Sequence, residues 1–376
     1  MNTERRVTEP QLIDQGLAIL KQALPATWKV ARMEDPKNDL QRADAILAIG
    51  AMDQAQARVV IEAKTSFTPK DVDAVLGRAR LLQRVAGDVP LLVVAPWFSE
   101  RSRSLLVQAG LNYLDLAGNV RLATNYPALY VFREPGVKAP KSIQSGLSLR
   151  GVKAGRLVRL LVDVAPPYSG LELAKYAGVT AGYVSRLLEM LDREAIIERN
   201  PRGAVERVDW RELLKRRAED YGVFTSNAIT RYVCPNGANY ALEKIGDVPQ
   251  RDVGLTGSFP VERVVSVAPP NLLILYTQSS EQDLVQIAGL LPADEGANVV
   301  IAKPADPVIM EPRWPVAQAL PARVPVVAAS QLALDCVTGN GRMPQEGAAF
   351  MDWMGQNEDQ WRFKNLASLP QRRSGA

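Results

Sequence analysis

The 376-residue chain contains no histidine. This absence excludes a Ser-His-Asp triad, a histidine general base and a metal site built on imidazole. Any chemistry that the chain performs must use carboxylates and lysines instead. Carboxylate oxygens are the ligands that hard cations prefer, so Mg²⁺ is the metal that such a site would hold.

Cysteines and long apolar runs are also scarce. The two cysteines, Cys234 and Cys336, are too few for a disulfide framework and agree with a reducing cytosol. The longest apolar runs, such as 91–96, fall far below the ~18 residues that a membrane-spanning helix needs. The N-terminal residues are not followed by an apolar signal segment. We therefore expect a cytoplasmic protein with no membrane partner.

The residues that are present indicate a globular α/β protein of several domains. Apolar residues make up 47% of the chain and charged residues 23%, which is typical of globular proteins. A chain of this length suffices for two or three domains of roughly 100–200 residues each. We predict an α/β domain over 1–134, a basic linker over 135–150, a helical domain over 151–221, a second α/β domain over 222–355 and a loose tail over 356–376.

The first domain alternates between helical and strand-like patterns. Its predicted elements are a helix at 11–24, strands at 28–33, 43–49 and 57–64, a helix at 70–86, a strand at 89–95, a helix at 99–108, and strands at 111–116, 120–122 and 130–132. This order favours a sheet with helices on both faces.

Asp44, Glu62 and Lys64 form a carboxylate–lysine pattern on two of these strands. Side chains alternate along a strand, so Glu62 and Lys64 point to the same face. If the strands at 43–49 and 57–64 pair as a hairpin, Asp44 comes beside Glu62. Two carboxylates and an ammonium group at one sheet edge can hold Mg²⁺ and orient an attacking water. A surface ion pair is the simpler alternative.

This spacing and the order of elements resemble the PD-(D/E)XK nuclease superfamily. The resemblance implies a restriction-endonuclease-like fold, with Asp44 and Glu62 as metal ligands and Lys64 as the catalytic lysine. Mg²⁺ is then the cofactor, if the site is active. Ala43 stands where a proline gives the superfamily its name. The other hypothesis is an inactive nuclease fold that keeps the three residues as a salt-bridge cluster, and a tryptophan or arginine filling the pocket around Glu62 would favour it.

A second distinctive run is NYLDLAGNV at 112–120. It predicts a strand followed by a glycine turn, in which Asp115 and Asn119 bind the turn backbone. A loop that contacts substrate is the alternative interpretation.

The net charge is +4, and its positive part is concentrated in one run. Between Arg133 and Arg159 there are seven basic residues and one acidic residue, Glu134. Such a run is either a solvated linker or the approach to a DNA-binding module, because phosphate contacts supply most of the non-specific affinity for DNA. In the second case Lys153 and Arg156 are DNA-binding candidates.

Residues 151–221 have the order helix, helix, turn, helix, hairpin, helix. The predicted segments are helices at 154–164, 170–176 and 181–194, strands at 196–199 and 204–207, and a helix at 210–221. Ser169 and Glu172 have the spacing of a capping box. Residues 178–180 form a turn of the kind that joins two helices in a DNA-binding pair. Thr180 is placed to cap the third helix.

The stretch VTAGYVSRLLEMLDREAII at 179–197 resembles the MarR-like winged-helix repressors. The resemblance implies a winged helix-turn-helix whose third helix lies in the major groove and whose hairpin lies over a phosphate or the minor groove. A winged helix that mediates protein contacts is the alternative. The implied DNA-binding residues are Thr180, Tyr183, Ser185 and Arg186 on the helix, and Arg199 and Arg202 on the hairpin.

Residues 222–355 resemble the C-terminal portion of type IV abortive-infection antitoxins. The motifs that carry this resemblance are LTGS at 255–258, GANVV at 296–300 and SQLALD at 330–335. That portion is related in shape to nucleotidyltransferases, which need carboxylates on the strand after the Gly-Ser turn. The strand at 271–276 has none, so we expect a degenerate nucleotidyltransferase-like α/β domain with a regulatory, dimerising or partner-binding role. Asp306 is interpreted as a loop charge.

Three functions follow from these patterns. The leading hypothesis is sequence-specific binding of double-stranded DNA by a transcriptional regulator or antitoxin-like repressor. The second is a Mg²⁺-dependent DNA endonuclease that the winged helix targets. The third hypothesis is a structural adaptor whose winged helix binds protein. A homodimer is expected of a winged-helix protein that recognises palindromic sites.

Overall fold

The computed structural model describes residues 7–33, 43–51, 54–136, 148–247, 252–311 and 324–369. The chain forms two compact units, and we call them unit 1 and unit 2. Unit 1 comprises Met1–Gly146 and Arg193–Ala195, and unit 2 comprises Leu147–Asp192 and Ile196–Ala376.

The predicted basic linker, 135–150, falls mostly outside the described residues. Among the helices of the described ranges, none is both long enough and apolar enough to cross a lipid bilayer.

Unit 1 is an α/β structure with one seven-stranded mixed sheet, whose strands lie in the sheet in the order of the chain. Strands β3, β4 and β5 are parallel to one another, and the remaining neighbours are antiparallel. The elements are α1 (Glu9–Ala23), β1 (Trp28–Met33), β2 (Ala45–Ala51), β3 (Ala57–Ala63), α2 (Val72–Ala86), β4 (Leu91–Ala95), α3 (Glu100–Gln108), β5 (Asn112–Asp115), β6 (Val120–Asn125) and β7 (Ala128–Arg133). The predicted α/β character and order of elements are confirmed.

Helices cover both faces of this sheet, which explains why β3 and β4 are almost continuously apolar. On one face α1 packs against Leu47, Ile61 and Val94. Residues of α2 and α3 form a second core with the opposite face. Gly16 lets α1 approach closely, because a Cβ at this position would lie 3.1 Å from Leu114.

Unit 2 contains a five-stranded sheet in the order β11-β12-β14-β10-β13 and a separate hairpin of β8 and β9. Within the sheet, β12 and β14 are parallel and the other neighbours are antiparallel. The elements are α4 (Gly151–Asp163), α5 (Gly170–Ala177), α6 (Ala181–Arg193), β8 (Ile197–Arg199), β9 (Val205–Val208), α7 (Trp210–Ala218), β10 (Ala228–Val233), α8 (Ala238–Gly246), β11 (Val253–Thr256), α9 (Ser258–Glu262), β12 (Leu273–Thr277), α10 (Glu281–Ala288), β13 (Leu291–Pro292), β14 (Val299–Lys303), α11 (Ala329–Val337), α12 (Met343–Gln356) and α13 (Glu358–Trp361).

One hydrophobic core runs through unit 2 across the domain boundary predicted at residue 221. It joins Leu161 of α4 and Leu214 of α7 to Leu332 of α11 and Phe350 of α12. Helix α4 is buried along most of its length, as expected for a helix that packs against neighbours on several sides. Residues 151–221 and 222–355 therefore form one compact unit instead of two separate ones.

The prediction of a loose tail over 356–376 is wrong for residues 356–369. Trp361 is only 1% exposed, and its ring meets that of Trp210 edge-on at a centroid distance of 5.4 Å. The backbone N–H of Phe363 donates to the carbonyl of Asp163 at 2.8 Å. Burial of the large indole ring fixes this segment on the core. Residues 370–376 lie outside the described ranges.

Candidate functional site

The carboxylate–lysine pattern gathers at the ends of β2 and β3. The Glu62 side chain is only 4% exposed, and its Oε1 lies 2.9 Å from Nζ of Lys64. Its other oxygen, Oε2, lies 3.2 Å from Nε of Arg78 on α2. Glu62 and Lys64 thus share a face, as strand alternation predicts.

Asp44 precedes β2 and binds the backbone of β3. Its Oδ2 accepts a hydrogen bond from the N–H of Ala63 at 2.8 Å, and its own N–H donates to the carbonyl of Ile61 at 3.2 Å. The predicted hairpin therefore brings Asp44 beside the end of β3. The Asp44 side chain contacts the backbone next to Glu62.

Arg78 is the contact that sequence reasoning did not identify at this position. Two cations now flank Glu62, and a third positive charge would meet repulsion from both. In the part of the chain that the structure describes, no three Cys, Asp or Glu side chains group so as to hold a metal ion. The donor set does not fit Mg²⁺ as it stands, because Glu62 forms ion pairs with Lys64 and Arg78 while Asp44 binds the backbone of β3.

We expect Glu62→Gln to lower the free energy of unfolding by about 1–2 kcal/mol, because the buried carboxylate neutralises two cations. Lys64→Met is the control, and its effect should stay within about 1 kcal/mol because Lys64 is 41% exposed. Urea denaturation followed by circular dichroism measures both. A larger loss for Lys64→Met than for Glu62→Gln would contradict this assignment.

Asp115 has the structural role predicted for the run 112–120. Its Oδ1 accepts from the backbone N–H groups of Ala117 and Asn119, both at 3.0 Å. Its Oδ2 accepts from the Asn119 side chain at 2.9 Å and from the N–H of Phe98 at 3.1 Å. Burial raises the pKa of Asp115, while these hydrogen bonds act in the opposite direction.

The turn between α5 and α6 is built by local signals. The Ser169 hydroxyl accepts from the N–H of Glu172 at 3.2 Å, and the Glu172 carboxylate accepts from the N–H of Ser169 at 2.7 Å. This is the predicted capping box, and its hydrogen bonds lower the pKa of Glu172. Gly178 ends α5 in the left-handed conformation at φ 65°, which glycine adopts without steric cost.

Helix α6 presents a polar face and a buried apolar face. The Thr180 carbonyl accepts from the N–H of Val184 at 3.2 Å, so α6 begins directly after it. Val184, Leu187, Leu188 and Leu191 are buried. The exposed residues in the first two turns are Ala181, Gly182, Ser185 and Arg186.

Tyr183 differs from its neighbours at the start of α6. Its ring packs against the hydrophobic core and is only partly exposed. This burial raises the pKa of its hydroxyl group. Tyr183 therefore contributes to packing, and Ser185 and Arg186 are the more accessible of the predicted DNA-binding side chains on the helix.

The hairpin of β8 and β9 closes with a tight turn at 200–203. The Asn200 side chain accepts from the N–H groups of Arg202 and Ala204, both at 3.0 Å. Nε of Arg199 donates to the carbonyl of Gly203 at 3.1 Å, and this hydrogen bond stabilises the turn. Arg202 is exposed.

Arg156, a predicted DNA-binding residue, is only partly exposed and is paired with a carboxylate. Its guanidinium forms two hydrogen bonds to Asp306, with Nε at 2.7 Å from Oδ2 and Nη2 at 3.0 Å from Oδ1. Asp306 lies in a loop, as interpreted from the sequence, but it is only 7% exposed and paired with Arg156. A bidentate pair of this kind is strong and geometrically specific. Lys153, on the same helix, is exposed.

Asp335 is a buried carboxylate to which the sequence pattern assigned no role. Its Oδ2 accepts from the hydroxyls of Thr256 at 2.7 Å and Tyr276 at 3.0 Å. Its Oδ1 accepts from the Tyr221 hydroxyl and the Gln331 amide, both at 2.8 Å. Burial raises the pKa of Asp335 to about 6, although the four hydrogen bonds lower it. Gln331 and Asp335 lie four positions apart in the mostly apolar helix α11. This spacing was the sequence signal that could have revealed the cluster.

Comparisons with protein-family models, with curated proteins and with solved structures found no match for this chain. The roles of these residues therefore rest on their own geometry and chemistry.

Proposed function

We propose that the chain is a sequence-specific DNA-binding protein, a transcriptional regulator or antitoxin-like repressor, with residues 151–221 as its winged helix. The observation that carries this proposal is the exposed face at the start of α6. Ala181 and Gly182 are small enough for the helix to approach base edges closely. Ser185 and Arg186 then supply donors, and arginine can bind guanine through two hydrogen bonds.

The charge of this face also supports binding to DNA. No acidic residue occurs in α6 before Glu189, so the first two turns carry only the positive charge of Arg186. The exposed Arg202 at the turn of the hairpin is suited to a phosphate contact. We further propose that a homodimer binds palindromic sites, since such sites match the two-fold symmetry of a dimer.

The same proposal covers the other two predicted folds. The order of elements in unit 1 supports a restriction-endonuclease-like domain, with Asp44, Glu62 and Lys64 as a retained cluster. The strand β12 carries no carboxylate, which supports a degenerate nucleotidyltransferase-like domain. The endonuclease is the second candidate, because Asp44 and Lys64 do come to the same end of the sheet as Glu62, but the contact of Arg78 with Glu62 weighs against it.

The DNA-binding proposal is tested by selecting preferred duplexes from a random pool and comparing two variants on them. We expect Arg186→Ala to cost roughly 1–3 kcal/mol on the preferred duplex and to relax the preference at one base pair. Arg202→Ala should weaken binding to all duplexes alike and reduce the slope of log affinity against log salt by about 1. Lys303→Ala removes the same charge at the end of β14 and is the control.

Two outcomes would contradict these assignments. Equal losses on every duplex for Arg186→Ala and Arg202→Ala would remove the distinction between base and phosphate contacts. Absence of any duplex binding at low salt would reject DNA binding itself. The endonuclease candidate requires cleavage of supercoiled DNA that depends on Mg²⁺ and is abolished by Lys64→Ala.

A further inference from the structure

A cavity of about 290 Å³ lies within unit 2. Its walls come from α4, α7 and α11 and from the segments 226–227 and 305–309. Ligand pockets typically enclose roughly 300–1,000 Å³, so the volume of this cavity is near that of a site for a small molecule. Val158, Leu214, Ile309 and Leu334 make much of its wall apolar.

Two residues of the cavity wall carry buried hydrogen-bond donors without partners among the described residues. Arg217 is 6% exposed, and its Nε has no hydrogen-bond partner among the described residues. One terminal nitrogen of Arg217 donates to the carbonyl of Leu149, and the guanidinium lies 5.2 Å from the centre of the Tyr221 ring. Ser330 is 1% exposed, and the structure gives its hydroxyl no partner within the described ranges. Buried polar groups are normally hydrogen-bonded, so Arg217 and Ser330 have hydrogen-bonding capacity that the described residues do not use.

The charge of the wall is positive. Three arginines and two aspartates line the cavity. Asp220 lies 3.1 Å from Nε of Arg150, and Asp306 lies 2.7 Å from Nε of Arg156. Both carboxylates are therefore already engaged by other arginines, and Arg217 remains available to an anionic group. An arginine keeps its charge in proteins.

We propose that this cavity binds a small organic anion, whose apolar body lies against Val158, Leu214 and Ile309 and whose acidic group is bound by Arg217 and Ser330. The acidic group is a carboxylate or a phosphate ester, because a guanidinium binds both.

Occupancy of the cavity is coupled to DNA binding, and this part rests on the proposed function. Helices α4 and α7 line the cavity and belong to the same hydrophobic core as the buried face of α6. A ligand that favours one arrangement of this core changes the affinity for DNA, and DNA changes the affinity for the ligand by the same factor.

Binding is tested by calorimetric titration of the full chain with hexanoate, hexyl phosphate and the neutral 1-hexanol. We expect one of the two anions to bind at least about tenfold more tightly than 1-hexanol, since hydrogen bonds to a charged group are strong. The tighter of the two anions identifies the acidic group. Equal affinity for the anions and the alcohol, or absence of binding by both anions, would overturn the proposal.

Variants at the cavity provide the structural control. Val152 is 36% exposed and lines the cavity, so Val152→Trp should block the mouth without disturbing the core and weaken anion binding at least about tenfold. Val152→Ala is the matched variant and should bind as the wild type does. Ser330→Ala removes an unpaired hydroxyl and should weaken binding several-fold with the fold intact. Unchanged affinity in Val152→Trp would place the ligand elsewhere and overturn the proposal.

The coupling is measured by repeating the selected-duplex titration with saturating anion. We expect the DNA affinity to change by about fivefold or more, the usual lower range of allosteric coupling. An unchanged DNA affinity would overturn the coupling. Anion binding by a protein that binds no duplex would overturn the proposed function while the cavity site stands.

Discussion

Asp335→Ala is expected to lower the free energy of unfolding by roughly 3–5 kcal/mol, the range for removing one partner of a buried charged network. The Asp335 carboxylate is fully buried and accepts hydrogen bonds from Thr256, Tyr276, Tyr221 and Gln331. Its removal leaves four donors inside the core without that acceptor. Urea denaturation at pH 7 measures the loss, and Asp352→Ala, at an exposed carboxylate, is the control.

The same carboxyl makes stability depend on pH with a defined sign. Its pKa is about 6 in the folded chain, against an ordinary value of 3.8. The folded state therefore binds this proton more tightly, so the contribution to stability is fully present below pH 4 and is lost as pH rises through about 6. One pKa unit corresponds to about 1.4 kcal/mol, so the change amounts to about 3 kcal/mol.

Asp335→Asn isolates this contribution, because the amide does not titrate. We expect the unfolding free energy of the wild type, minus that of Asp335→Asn, to fall by about 2.5 kcal/mol between pH 4 and pH 7.5. Parallel pH profiles for the two proteins would show that Asp335 titrates normally.

Arg156→Met is expected to lower the free energy of unfolding by about 2–3 kcal/mol. Asp306 is buried, and the substitution leaves its carboxylate without the bidentate partner. This value lies below the range for fully buried pairs, because the Arg156 side chain is 25% exposed and solvent screens the interaction. The DNA affinity of the folded variant should equal that of the wild type.

A double-mutant cycle with Asp306→Asn assigns the effect to the pair. The sum of the stability losses in the two single variants should exceed the loss in the double variant, since both substitutions remove the same interaction. If Arg156→Met has an unchanged free energy of unfolding but weaker DNA binding, Arg156 contacts DNA, as the basic run in the sequence suggested.

The local elements of this protein were largely determined by its sequence. The strand predicted at 28–33 has the same bounds in the structure, and the capping box of Ser169 and Glu172 has its predicted hydrogen bonds. The turn at Gly178 and the buried stripe of α6 were also predicted. These features depend on periodicity and on residues within one or two turns, so nearby sequence is enough to specify them.

The tertiary structure alone decided which charges are paired and where the units divide. Arg156 and Asp306 are 150 residues apart, and Arg78 reaches Glu62 from a different element. The buried Trp361 holds residues 356–369 against the core, although their composition predicted a loose tail. Sequence spacing reveals the face on which a residue lies but not the distant segment that covers that face. The core shared by α4, α7 and α11, the buried Asp335 and the cavity beside Arg217 arise because folding brings these distant segments together.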